Sequence, residues 1–127
     1  MIDLRSDTLT LPDEEMLKTI FSAKLGDDGR VDENGRGEDL TVNELEDLAA
    51  TLTGKDEAVL FSSGTLANTT AILTYCSPGD KVLVDKIQHI YKSEKVVFEK
   101  KFGQLIPVFY KLNERNTPVI DSIRELM

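Results

Sequence analysis

One cysteine and one histidine are all that this chain carries of the two residue types most often used as metal ligands, nucleophiles or bases at neutral pH. A lone Cys76 excludes an internal disulfide and fits a reducing compartment. It closes a predicted helix with no base beside it, which favours packing over nucleophilic chemistry. No metal site is expected. No apolar run approaches membrane-spanning length, and the first residues lack a basic-then-apolar leader. The expectation is therefore a cytoplasmic protein that neither crosses nor binds a membrane. A basic stripe is also missing. The net charge is −8 with both signs interspersed, which argues against a nucleic-acid partner.

What is present is ordinary for a soluble globular protein: 40% hydrophobic and 30% charged residues in a chain of 127. A domain of that length can bury roughly two thirds of the surface its unfolded chain exposes. Residues 1–11 are dense in polar groups (Arg5, Ser6, Asp7, Thr8, Thr10) and read locally as a solvated arm. Pro12 then suits a first helical turn, and Met16, Leu17, Ile20 and Phe21 form one apolar face before Gly26. Residues 26–39 have almost nothing to bury and predict a long loop, mobile or shaped by a partner or ligand. Asp32, Asn34 and Gly35 imitate part of a calcium loop, but Arg30 and Thr41 stand where its acidic ligands belong. Gly35-Arg36-Gly37 begins a dinucleotide fingerprint with no strand before it and Leu40 at the third glycine position. Both motifs fail.

Thr41-Val42-Asn43-Glu44 reads as a capping box opening a helix. Val42, Leu45, Leu48, Ala49 and Leu52 would be its buried face, and Gly54 its stop. A strand is expected over Ala58–Phe61, a helix from Gly64 to about Cys76, and a second strand over Lys81–Asp85. A charged amphipathic helix from Tyr91 to about Lys101, with Val97 and Phe98 buried, should lead to a third strand, Gln104–Tyr110. Pro107 marks that strand as irregular or near an edge. A polar loop over 112–118 and a helix from Val119 complete the pattern. Strands alternating with helices mean βαβ units and a mainly parallel sheet. Three strands make a small sheet, so the α/β pattern is incomplete in this chain. Asn68-Thr69-Thr70 matches a glycosylation sequon on a predicted helix and is read as coincidence.

The turn Ser62-Ser63-Gly64-Thr65 lies between the first expected strand and its helix. Free N–H groups, the positive end of the helix dipole and two hydroxyls make it fit to hold a phosphate, and Gly64 lets an anion come close to the backbone. An ordinary helix N-cap by Ser62 or Ser63 explains the same residues, and locally both readings stay open. His89 follows directly after a strand, at the end where ligands gather in open α/β sheets. It is equally open whether this histidine is structural or faces a ligand.

Several stretches, in order, then point one way: Met1-Ile2-Asp3-Leu4-Arg5-Ser6-Asp7-Thr8, Gly26-Asp27-Asp28, Glu38-Asp39-Leu40-Thr41-Val42-Asn43-Glu44-Leu45-Glu46 and Leu52-Thr53-Gly54-Lys55. Ser63-Gly64-Thr65-Leu66-Ala67-Asn68, His89-Ile90-Tyr91 and Glu94 follow. Together they resemble the N-terminal part of the threonine aldolases, within the β-eliminating lyase group of pyridoxal-phosphate (PLP) enzymes. The resemblance implies the fold type I large domain, a mainly parallel sheet flanked by helices. Residues 1–56 would then be an N-terminal arm and helices, and 57–127 the start of the cofactor-binding domain.

It also implies that Gly64 and Thr65, with Ser63 adjoining, bind the PLP phosphate. His89 would lie against the pyridine ring as the catalytic residue, and Ser6 would contact the substrate carboxylate. The implied reaction cleaves threonine or allo-threonine to glycine and acetaldehyde in a homodimer or homotetramer. Two departures stand out. Asn34-Gly35-Arg36-Gly37 lacks the Tyr-Gly pair of many members, and none of the ten lysines sits in the family's cofactor-anchoring motif. A chain lacking that lysine should not turn over efficiently by itself. The alternatives are a truncated, non-catalytic remnant that at most binds phosphate, and a related PLP lyase performing β-elimination.

Overall fold

The computed structural model describes residues 3, 5–27 and 29–127, without the side chain of Asp7. Met1, Ile2, Leu4 and Asp28, which belong to the motifs quoted above, lie outside the described residues. The chain divides into two compact units, one up to Leu60 and one from Phe61.

In the first unit, α1 spans Glu14–Ser22 behind an Asp13 cap whose carboxylate accepts from the Met16 amide at 2.8 Å. Helix α2 spans Leu40–Thr53, and its cap is Asp39, not Thr41. Asp39 Oδ1 accepts from the Thr41 and Val42 amides at 2.9 and 3.0 Å. A carboxylate two residues upstream of Thr41 thus caps the helix in its place. The Thr41 hydroxyl exchanges bonds with the Lys24 backbone instead, accepting from its N–H at 3.0 Å and donating to its carbonyl at 3.1 Å. Gly54 ends the helix as expected, in the left-handed region at φ 65°.

Residues 31–37 are folded back by bonds of their own. Asp32 accepts from the amides of Asn34 and Arg36, and Val31 and Gly37 form an antiparallel bridge. The Arg36 guanidinium spans Asp47 at 2.9 Å and the Asn43 carbonyl at 3.1 Å. The expected strand over Ala58–Phe61 does not form. No ladder is made there, and the Leu60 amide donates to Glu46 Oε1 at 2.7 Å. The apolar face expected for α2 is largely exposed, and only Ala50 of that helix is buried.

The second unit holds α3 (Gly64–Tyr75), β1 (Lys81–Val84), β2 (Ile106–Phe109) and α4 (Ile120–Arg124). β1 and β2 pair in parallel, with Val84 opposite Phe109 and Pro107 opposite Val82. The sheet has two strands, not three, so Pro107 does lie on an edge. The single helix expected over 91–101 is broken. A π-helical turn runs Ile90–Glu94, Lys95 turns left-handed at φ 59°, and a 3-10 turn spans Val96–Phe98. This crossover packs against α3. The core sits beneath it: Val84, Val97 and Leu105 are buried, and Tyr91 meets Phe98 and Phe109 edge-on at 5.7 and 4.8 Å. Gly103 is required there, because a Cβ would run into the Val97 backbone.

Candidate functional site

Ser63 caps α3 in extended geometry, its Oγ accepting from the Leu66 amide at 3.1 Å. The first helical amide to find a carbonyl is that of Ala67, on Ser63 O at 3.0 Å. The amides of Gly64 and Thr65 precede that point, where a helix has no carbonyl to offer its donors. A hydroxyl that accepts from a backbone N–H keeps its own proton to donate. Ser63 Oγ–H and the two amides therefore form a set of donors at the positive end of α3. Nothing lies within 4 Å of where a Gly64 Cβ would stand, so the approach is open. The plain-cap and anion-cradle readings are compatible, because the cap uses a lone pair of Ser63 Oγ and leaves its proton to donate.

The Thr65 hydroxyl is turned elsewhere. It donates to Glu94 Oε1 at 3.3 Å, since an ionised carboxylate only accepts. Asn68 Nδ2, one turn along α3, donates to both oxygens of the same carboxylate at 3.2 and 3.3 Å. His89 Nε2 lies 3.8 Å from Glu94 Oε1. The Glu94 side chain is 6% exposed, whereas the His89 side chain is 74% exposed.

Two further side chains set the backbone that carries His89. Asp85, just past β1, accepts from the amides of Ile87 and Gln88 at 2.8 and 2.6 Å, which builds the turn into His89. Tyr110, just past β2, donates its hydroxyl to Asp85 Oδ2 at 3.2 Å. Burial, and then the Asp85 carboxylate, push the Tyr110 phenol above its ordinary value. The strand ends thus meet beneath His89, the place where open α/β sheets gather ligands.

Of the residues singled out in the sequence, Ser63, Gly64, Thr65 and His89 all belong to the unit from Phe61. Ser6 belongs to the other. There its Oγ lies 2.9 Å from Thr8 Oγ1, and its carbonyl accepts from the Leu9 amide, closing a 3-10 turn over Asp7–Leu9. Among the described residues no cluster of His, Cys, Asp and Glu is built to hold a metal, and no helix is long and apolar enough to cross a membrane.

The sequence reading gave Asn68, Asp85 and Tyr110 no role, and quoted Glu94 only as part of a motif. Five residues is about 140° around an α-helix, so an α-helical reading of this segment turns Glu94 away from His89. The π-turn supplies the i to i+5 spacing that brings them together, with the Lys95 amide bonded to the Ile90 carbonyl at 2.9 Å.

The donors fit the phosphate end of PLP, since three N–H or O–H groups converge at a helix N-terminus. The exposed imidazole fits the face of its ring. Comparison with known proteins gives the family. A family profile described as Beta-eliminating lyase matches residues 3–127. The low specificity L-threonine aldolase of Escherichia coli K12 is 44% identical over 94 residues, which are 74% of this chain and 26% of that protein. A probable low-specificity L-threonine aldolase 2 of Arabidopsis thaliana is 34% identical over 125 residues, 96% of this chain and 33% of its own length. The Saccharomyces cerevisiae low specificity L-threonine aldolase is 38% identical over 93 residues, 72% of this chain and 22% of its own. The chain spans about a quarter of the length of the E. coli relative. With a profile match from residue 3 to the last residue and a small parallel α/β unit in place, this chain belongs to the beta-eliminating lyase family.

Proposed function

We propose that this chain is the N-terminal segment of a PLP-dependent lyase of fold type I that cleaves β-hydroxy-α-amino acids, threonine or allo-threonine to glycine and acetaldehyde. The observation that carries the reading is the gathering of His89 and the α3 N-terminus around Glu94. In this reading Ser63 Oγ–H and the Gly64 and Thr65 amides hold the phosphate, and His89 lies flat against the pyridine ring. Ser6 contacts the substrate carboxylate. PLP, when bound, supplies the electron sink for Cα–Cβ cleavage. Thr65 contributes through its amide, because its hydroxyl proton is directed to Glu94. None of the ten lysines matches the family's cofactor-anchoring motif, so the 127-residue chain is expected to bind without turning over. The enzyme is proposed to be a cytoplasmic homodimer or homotetramer. That fits the apolar side chains left exposed, among them Phe21 and Tyr75.

Two measurements test this. Titrating the chain with PLP, followed by absorbance, should show saturable binding that Gly64→Val weakens at least about tenfold. Equal affinity in the two proteins overturns the phosphate site. For the reaction, this chain can replace the matching segment of the E. coli relative. Products from threonine and allo-threonine should be glycine and acetaldehyde, whereas a keto acid and ammonia would mean β-elimination instead.

A further inference from the structure

The Glu94 carboxylate, around which His89 and the start of α3 gather, has no contact with the ligand in the reading above. It sits at a π-turn, a rare geometry that costs regular helical bonds and recurs at functional sites. Its two oxygens take three hydrogen bonds from α3, one from Thr65 Oγ1 and one to each oxygen from Asn68 Nδ2, and His89 Nε2, on the residue before the π-turn, lies 3.8 Å away. At 6% side-chain exposure it is shielded from water, where charge-assisted bonds are stronger and an unpaired carboxylate is costly.

We propose that Glu94 is the positioning residue of the site, locking the first turns of α3 and the His89 imidazole into one rigid unit so that phosphate donors and ring face are presented at a fixed spacing. Glu94 does not touch the ligand. It directs the Thr65 hydroxyl inward, which leaves the Thr65 amide facing the anion, and its carboxylate stands 3.8 Å from His89 Nε2, where it biases the orientation of the ring. The inference rests on the PLP reading for its ligand and on the described geometry for its mechanism.

The test uses the 127-residue chain as wild type, Glu94→Gln and Asn68→Ala, with circular dichroism to match their folds. Glu94→Gln keeps the shape and loses the charge. The chain has one histidine, so the side-chain ¹⁵N resonances of His89 are read without assignment, at fixed pH and without ligand. Those resonances should move in Glu94→Gln and stay in place in Asn68→Ala, which removes a contact of Glu94 but none of His89. PLP affinity should fall about tenfold in Glu94→Gln, the scale of one charged hydrogen bond. Unchanged His89 resonances in Glu94→Gln overturn the proposal, as does a PLP affinity equal to wild type. If wild type binds no PLP, the functional reading fails, and the imidazole resonances still decide whether Glu94 orients His89.

Discussion

At the scale of single residues, two glycines show how similar chemistry serves opposite ends. Nothing lies near a Cβ on Gly64, so Gly64→Ala should leave the fold intact and stabilise the start of α3 by up to about 1 kcal/mol. Any loss of PLP binding in that variant is then a direct effect on the ligand. Gly103 is closed in by the Val97 backbone, and Gly103→Ala should cost about 1–3 kcal/mol, the usual scale of overpacking. Urea denaturation monitored by tyrosine fluorescence checks this, and a midpoint equal to wild type would contradict the packing described here. Of the candidate residues, Ser63, Gly64 and His89 were legible from local pattern. A hydroxyl before a glycine at a helix start and a histidine after a strand are chemical signals visible in one dimension. The partner of the Thr65 hydroxyl was not, since Glu94 lies 29 residues along the chain.

At the scale of elements, helix positions were readable and their ends were less so. Residues 14–22, 40–53 and 64–75 carry apolar periodicity, glycine stops or small-residue faces, and all three fold as helices. The α2 cap went to Asp39 because a carboxylate competes well for amide donors at a positive helix end. Asp39→Ala should therefore lower α2 helicity and speed hydrogen exchange at Thr41 and Val42. Glu44→Ala should change stability by less than about 0.5 kcal/mol, where a real capping box would lose more. The segment after His89 defied an α-helical reading because a left-handed Lys95 and an i to i+5 bond interrupt the 3.6-residue repeat. Tertiary contact with α3 and the Val97 core outweighs the local preference there.

At the scale of the whole molecule, pH links the two units to stability in opposite directions. The carboxylates of Asp39 and Asp32 are held below their ordinary value of 3.8, first by backbone N–H groups, those of Val42 and Arg36 respectively. A depressed acid contributes stability that is present above pH 3.8 and lost as pH falls through its folded-state value. The Tyr110 phenol is raised above 10.0, mainly by burial, so its contribution is present below that pH and lost as pH rises further. Denaturation across pH should therefore show an acid limb that Asp39→Asn flattens and an alkaline limb that Tyr110→Phe flattens. Limbs unchanged by these substitutions would contradict the linkage. Exposed apolar side chains such as Leu11, Phe21, Leu52 and Tyr75 make self-association the expected behaviour, measurable as a concentration-dependent mass in sedimentation equilibrium.

Sequence alone determined the helices over 14–22, 40–53 and 64–75, the family pattern, and the helix start at Ser63 and Gly64. Those features rest on local preferences and on spacings within one or two turns. Tertiary structure decided which side chains the helices bury, how many strands pair, and that a buried Glu94 joins Thr65, Asn68 and His89. Burial, pairing and a shared carboxylate each depend on which distant residues arrive at the same place. The Ser63-Gly64 helix start was written in neighbouring residues, whereas its tie to His89 through Glu94 required a π-turn packed against α3.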